Sequence, residues 1–348
     1  MKKYLYFVLP ALLLYAGCST LNDNIKKSVI YYNQGNDFYN NGEYDSAIES
    51  YTLAGSLNPN YVEAYNNRGC AHYSKGEFDS AIADYTLAIG LNSNYTDAYN
   101  NRGCAYYSKG DNESAIADYT LSLGLNPNDA EAYNGRGVAN YNKGEYDSAI
   151  ADYDSAIGLN SDYADAYNNR GCAYHKKDDY NSAITDFDQA LILDLNDAEV
   201  FNNRGCAYYS KGDNENAIAD YTLSIILNPN NAESYNGRGA ASYKKGEYDS
   251  AISDYTMAIS LNQNYVDAYN NRGAAYHKKE NYNSAIADFN EALNLDPNNA
   301  EAYNNKAITL YSKDDYAGAR SSWSEALRLD PGKDYAREML ELLQKKGY

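Results

Sequence analysis

Apolar and small residues along Thr96–Asp129 recur at helical spacing in two separate segments. With Thr96 as position 1, small residues stand at positions 3, 8, 10 and 20 (Ala98, Gly103, Ala105, Ala115) and aromatics at 4 and 24 (Tyr99, Tyr119). Gly110 breaks the pattern between the segments, and Leu-Asn-Pro-Asn at 125–128 closes it. The spacing predicts helices over positions 2–14 and about 18–30, antiparallel and closely packed through their small residues. The pattern then repeats without an insertion. Its Arg at position 7 falls at Arg68, Arg102, Arg136, Arg170, Arg204, Arg238 and Arg272, and Lys306 takes the next slot. Nine units follow from this register: 28–61, 62–95, 96–129, 130–163, 164–197, 198–231, 232–265, 266–299 and 300–333. A fixed period built from two amphipathic segments predicts an all-α solenoid, because one unit cannot bury its apolar face alone.

The turn chemistry agrees. Gly76, Gly110 and Gly144 at position 15 suit a left-handed helix end, and acids such as Glu145 and Asp147 open the second helix. Unit two carries Tyr65, Gly69, His72, Ala81, Tyr85, Ala88 and Ser93 at positions 4, 8, 11, 20, 24, 27 and 32; unit eight carries Tyr269, Gly273, Tyr276, Ala285, Phe289, Ala292 and Pro297. This set resembles the tetratricopeptide repeat family over about nine tenths of the chain, with Arg at position 7 as the main departure from that family's usual Leu. The resemblance implies a right-handed superhelical solenoid of about nine helix-turn-helix units, acting as a non-catalytic scaffold. Residues 334–348, with Ala336, Met339, Leu340 and Leu343 on one helical face, read as its capping helix.

Residues 1–17 are a separate object. Lys2 and Lys3 precede an apolar run, Tyr4–Ala16, too short for a dependable membrane span, and Leu-Tyr-Ala-Gly-Cys ends it at 14–18. This resembles a bacterial lipoprotein signal, which implies cleavage before Cys18, lipid on Cys18, and a chain held at the cell envelope by that anchor alone. Tyr15 stands where Leu is usual. A plain secretory signal and an uncleaved anchor are the alternatives. Residues 18–27 would form the lipidated Cys and a polar tether reaching roughly 30 Å if extended.

A longer period lies within the first. Residues 96–197 resemble 198–299, so three units look copied as a block. Copying repeats residues whether or not they work.

Charge narrows the partners. Lys and Arg number 29 against 48 Asp and Glu, for −19 overall, and −21 without residues 1–17. Nucleic acid needs basic stripes, so it is excluded as a partner; a protein or peptide, basic or neutral, is favoured. Wherever Arg holds position 7, Asp holds position 23: Asp84, Asp118, Asp152, Asp186, Asp220, Asp254 and Asp288. Units one and nine lack both, with Gln34/Ser50 and Lys306/Ser322. This joint change predicts recurring structural Arg–Asp ion pairs, within a unit or to its neighbour.

The family resemblance implies that positions 2, 5, 6, 9, 12 and 13 face a ligand groove. Asn67, Asn101, Asn169, Asn203 and Asn271 at position 6, and Tyr73, Tyr107, Tyr141, Tyr209 and Tyr243 at position 12, are then the candidate peptide-binding residues. An amide can pair with the backbone of an extended peptide without reading its side chains, and Tyr adds contact area at low entropy cost. The family's clamp for terminal carboxylates is excluded: it needs Lys at position 5, where Asn stands here, and Lys at position 2, where Glu63 and Asp97 stand. Cys70, Cys104, Cys172 and Cys206 share position 9, one unit or more apart, which is too far for disulfides. The three His residues stand in aromatic slots, and the sequence holds no metal, cofactor or catalytic motif. The reading is a membrane-tethered scaffold with a peptide or protein in its groove. A ligand-free envelope spacer and a glycan- or peptidoglycan-binding accessory remain as alternatives. Partner identity, membrane face and oligomeric state stay open.

Overall fold

A computed structural model describes residues 8–348, with side chains from residue 22 onward. The lipidation site expected at Cys18, and the rest of the expected signal, lie outside the described side chains. Among the described residues the chain forms 19 helices and no strand. Residues up to Ala173 make one compact unit and residues from Tyr174 a second.

In the first unit the helix Val8–Asn40 is followed by 44–57, and then by the pairs 62–74/78–91, 96–108/112–125 and 130–142/146–159. In the second, 180–193 is followed by 198–211/214–227, 232–244/248–261, 266–278/282–295, 300–312/316–329 and a last helix, Asp334–Lys346. The helices cover positions 1–13 and 17–30 of nearly every repeat, one residue earlier than the apolar spacing alone indicates. Residues 22–27 of the expected extended tether are helical and exposed, because the opening helix runs unbroken through them. At about 1.5 Å per residue such a segment reaches less than half as far as an extended one.

The break between paired helices is a left-handed residue. Gly76, Gly110 and Gly144 have φ of +77°, +83° and +79°. In unit two, Gly76 N–H then donates to Tyr73 O and Glu77 N–H to His72 O, closing the orphaned carbonyls. Three repeats place a side chain there instead: Asp178, Glu280 and Asp314, at φ 61°, 59° and 61°. Asp111 caps the following helix by accepting from Ser114 N–H at 3.1 Å.

The core is built of alanine and one ring per repeat. Ala47, Ala81, Ala115, Ala149, Ala217, Ala251, Ala285 and Ala319 at position 20 are fully buried. The position-24 ring lies flat on the position-8 glycine: a Cβ on Gly69 would stand 2.6 Å from the Tyr85 ring, and one on Gly273 2.7 Å from Phe289. The last helix buries Ala336 and Leu343 against Trp323 and Leu310, with Met339 and Leu340 half-buried beside them. That covers the apolar face presented by the repeat before it.

Candidate functional site

The position-7 arginines form two-sided clamps. Arg102 donates from Nε and Nη2 to the two carboxylate oxygens of Asp118, at 2.7 and 2.8 Å. Its Nη1 donates to Thr86 Oγ1 of the preceding repeat at 2.9 Å. Arg68 holds Asp84 and Thr52, and Arg136 holds Asp152 and Thr120, in the same way. In the second compact unit Arg204, Arg238 and Arg272 fork onto Asp220, Asp254 and Asp288. Their third bonds reach Asp188, Thr222 and Thr256. Arg170 Nη1 meets Asp154 at 2.5 Å, and Asp186 is buried. Each guanidinium also lies over the position-4 ring, for example 5.3 Å from the Tyr65 centroid. Hydrogen bonding to Asp84 and Asp118 raises the pKa of Arg68 and Arg102, so both stay charged. The clamp therefore closes a hairpin and ties it to its predecessor.

Position 25, the third corner, has no part in the expectations from sequence. Its signal is nevertheless there. It is Thr or Asp in every repeat that precedes an Arg, and Asn290 in the repeat that precedes Lys306.

Of the other predicted residues, Asn67 and Tyr243 line pockets. In the first compact unit Asn36, Tyr39, Asn40, Tyr51, Asn67 and Cys70 line a cavity of about 360 Å³. In the second, Tyr243, Ala274, His277, Lys278, Phe289, Asn305, Ile308 and Thr309 line one of about 170 Å³. Both use positions 6, 9, 12, 13 and 24, so the same face recurs. Asn67, Asn101, Asn169, Asn203, Asn271, Tyr73, Tyr107, Tyr141, Tyr209 and Tyr243 are all half-buried.

Much of this hydrogen-bonding capacity is turned inward. Asn101 Nδ2 donates to Asn66 Oδ1 at 3.0 Å, Asn169 to Asn134 at 3.1 Å and Asn271 to Asn236 at 3.2 Å. Asn67 donates to Tyr32 Oη and Asn36 Oδ1. The position-12 rings behave alike: Tyr73 Oη lies 2.9 Å from Ser108 Oγ, and Tyr107 Oη accepts from Asn142 Nδ2 at 3.0 Å. Tyr141 and Tyr243 pack on the rings that open their own second helices, at 5.5 and 5.4 Å. The amide ladder is thus a stitch between consecutive repeats. Cys70, Cys104, Cys172 and Cys206 are unbridged. Burial pushes the thiols of Cys70, Cys104 and Cys206 up, which keeps them protonated and unreactive.

Tetratricopeptide repeat models match residues 164–197 and 266–299, and 100–164, with a further one at 289–321. A TPR repeat model matches 35–76, 69–110, 205–246 and 241–280. Together these span 35–197 and 205–321. The chain belongs to the tetratricopeptide repeat family. Among solved structures, this TPR chain is similar to one in the APC/C hetero-tetramer Cut9–Hcn1, at 15% identity and TM-score 0.60, covering 91% of this chain and 76% of that one. A tetratricopeptide repeat protein from Parabacteroides merdae shares 23% identity at TM-score 0.58, covering 71% of this chain and 98% of its own. PilF of Pseudomonas aeruginosa shares 19% at 0.54, covering 62% and 97%. At these identities the likeness is one of fold. No curated protein matches the sequence. Among the described residues no acid, Cys and His cluster is placed to hold a metal, and no helix is long and apolar enough to cross a membrane.

Proposed function

We propose that this protein is a non-catalytic scaffold that takes an extended peptide or partner protein into its repeat groove, held at a bacterial envelope membrane by lipid on Cys18. Proteins of this family generally act as interaction scaffolds. The observation that carries the reading is the recurrence of one pocket type: positions 6, 9, 12, 13 and 24 line a cavity in each compact unit, with tyrosine or histidine at its wall. Recurring pockets along a helical face suit an extended ligand that presents a side chain to each. The inward Asn bonds refine the contact set. The rings of Tyr73, Tyr107, Tyr141, Tyr209 and Tyr243 supply the contact area, while the amides hold the repeats that carry them.

The test is crosslinking in intact cells followed by pull-down, with wild type beside a variant carrying Tyr73→Ser, Tyr107→Ser and Tyr141→Ser. These three changes leave the Asn ladder and the Arg clamps in place. A partner captured by wild type and lost in the variant supports the groove. Equal capture by both moves the contact elsewhere, and no capture by either favours a spacer. For the anchor, labelled fatty acid should enter wild type and not Cys18→Ser; label in neither ends the lipoprotein reading.

A further inference from the structure

Position 3 of the first helix packs each repeat on the one before it. Ala268 lies against Ala258 and Ile259, and Ala302 against Ala292 and Leu293. Unit one departs from this. Its position 3 is Ile30, which is 56% exposed, and its position 2 is Val29, where every later repeat carries an acid. Among the described residues no preceding repeat covers this face. The end of a solenoid needs a polar outer surface to stay soluble. Exposed Ile25, Val29 and Ile30 are the opposite.

Helical geometry gathers these side chains on one face. At about 100° per residue, Ile25, Val29, Lys26 and Ile30 fall within about 140° of arc. Ser28, between them in sequence, turns inward and is fully buried. Lys26 and Lys27 are exposed, and among the described residues neither has an acid partner. That sets them apart from residues 28–173, whose seven Lys and Arg are all paired. Asp23 is the one acid among residues 19–36, so this end is positive on a chain that carries −19. Apolar side chains flanked by unpaired lysines on one exposed helical face suit a helix lying in a membrane interface.

Charge selects the occupant. A second copy meeting this face symmetrically would set Lys26 and Lys27 against their own counterparts, whereas lipid phosphates complement them. Distance agrees. Ile25 and Ile30 follow Cys18 by seven and twelve residues, about 10 and 18 Å along a helix. We propose that residues 22–30 dock on an anionic lipid surface, with Ile25, Val29 and Ile30 set among the headgroups and Lys26 and Lys27 paired with lipid phosphates. This rests on the lipid anchor proposed for Cys18 and adds the face that the array turns to the membrane. An anchor alone sets only how far the first repeat can stray; a docked helix fixes its orientation.

The experiment reconstitutes the full chain, purified from cells, into vesicles of phosphatidylcholine mixed with phosphatidylglycerol, and into phosphatidylcholine alone. Ile30→Trp supplies the probe, read by its emission wavelength and by quenching from lipids brominated on their acyl chains. Trp323 is fully buried and gives a constant background, and Leu87→Trp, at an exposed site in unit two, is the control. Circular dichroism checks that each variant keeps its helix content. In the mixed vesicles the probe at position 30 should shift to the blue and be quenched, and the one at position 87 should do neither. Lys26→Gln with Lys27→Gln should cut the docked-to-undocked ratio about tenfold, and added salt should lower it too. A chain that sediments with the vesicles while the probe at position 30 stays unquenched overturns the docking and leaves the membrane anchor standing. A chain that does not sediment overturns the anchor and the docking with it. A blue shift equally large without vesicles means that a second copy covers the face, and also overturns the docking. Quenching that is unchanged in the Lys variant and in phosphatidylcholine alone overturns the charge pairing.

Discussion

The copied block contains its own control for the worth of one buried hydroxyl. In the second copy, Ser234 is fully buried and donates to Asn202 Oδ1 at 2.8 Å. Its Oγ also lies 2.8 Å from Ser224 Oγ. In the first copy the equivalent of Ser234 is Ala132, and Asn100 Oδ1 is buried with no partner. Asn100 keeps only its Nδ2 bond to Asp129, at 2.7 Å. Two opposite changes follow. Ser234→Ala should strand Asn202 Oδ1 and cost about 1–3 kcal/mol, the usual penalty for a buried polar group left unpaired. Ala132→Ser should supply the missing donor and gain about 0.5–1 kcal/mol, after a helix-propensity loss of up to about 0.5 kcal/mol. The assay is urea unfolding, with native-state hydrogen exchange at amides around 100–104 and 202–206, because repeat arrays need not unfold as one step. Protection should fall near 202 in the first variant and rise near 100 in the second. If Ser234→Ala is neutral while Ala132→Ser destabilises, the orphaned carbonyl carries no penalty, and the argument from it fails.

Three further outcomes rest on equally local geometry. Glu280 adopts a left-handed backbone, as do Asp178 and Asp314, but the two aspartates each accept from a Tyr hydroxyl at 2.7 Å. Glu280→Gly should therefore stabilise by about 1 kcal/mol, and Asp178→Gly and Asp314→Gly by less, read as shifts in the urea midpoint. Asp118→Ala leaves the Arg102 guanidinium, 16% exposed, with Thr86 as its one remaining hydrogen-bond partner beside the Tyr99 ring; the expected loss is about 3–5 kcal/mol by urea unfolding, and a loss under about 1 kcal/mol would show the clamp to be ornamental. Burial holds His175 and His277 below the usual imidazole value of 6.5. The unfolded chain then binds more protons than the folded one just below that value. Stability of the second unit should be full above about pH 6.5 and fall as pH drops through it, a slope that His175→Tyr with His277→Tyr should flatten between pH 7.5 and 5.5.

Much of the site was legible one position at a time. The joint appearance of Arg at 7 and Asp at 23 pointed to a contact, because a buried charge requires a partner and the two positions change together. Position 25 carries the same kind of signal, but it pairs across neighbouring repeats, so a comparison confined to single repeats overlooks it. The Asn residues at 5 and 6 were visible as a ladder. That each amide bonds to the ladder next door, as Asn101 does to Asn66, depends on the lateral offset between stacked helices, which composition does not encode.

The sequence alone determined the period, the all-helical class, the hairpin within each repeat and the family. These follow from short-range physics: apolar spacing at 3.6 residues per turn, a left-handed residue at position 15, and small residues where helices must touch. Only the tertiary structure decided which polar groups are spent within the chain and which stay exposed to solvent. Arg102 and Asn101 sit side by side in sequence with similar apparent freedom. Stacking commits the first to Asp118 and Thr86 and the second to Asn66, while Glu63 and Asp97 are left facing solvent. Hydrogen-bond satisfaction is a property of neighbours in space, and for this chain those neighbours lie 16 to 35 residues away.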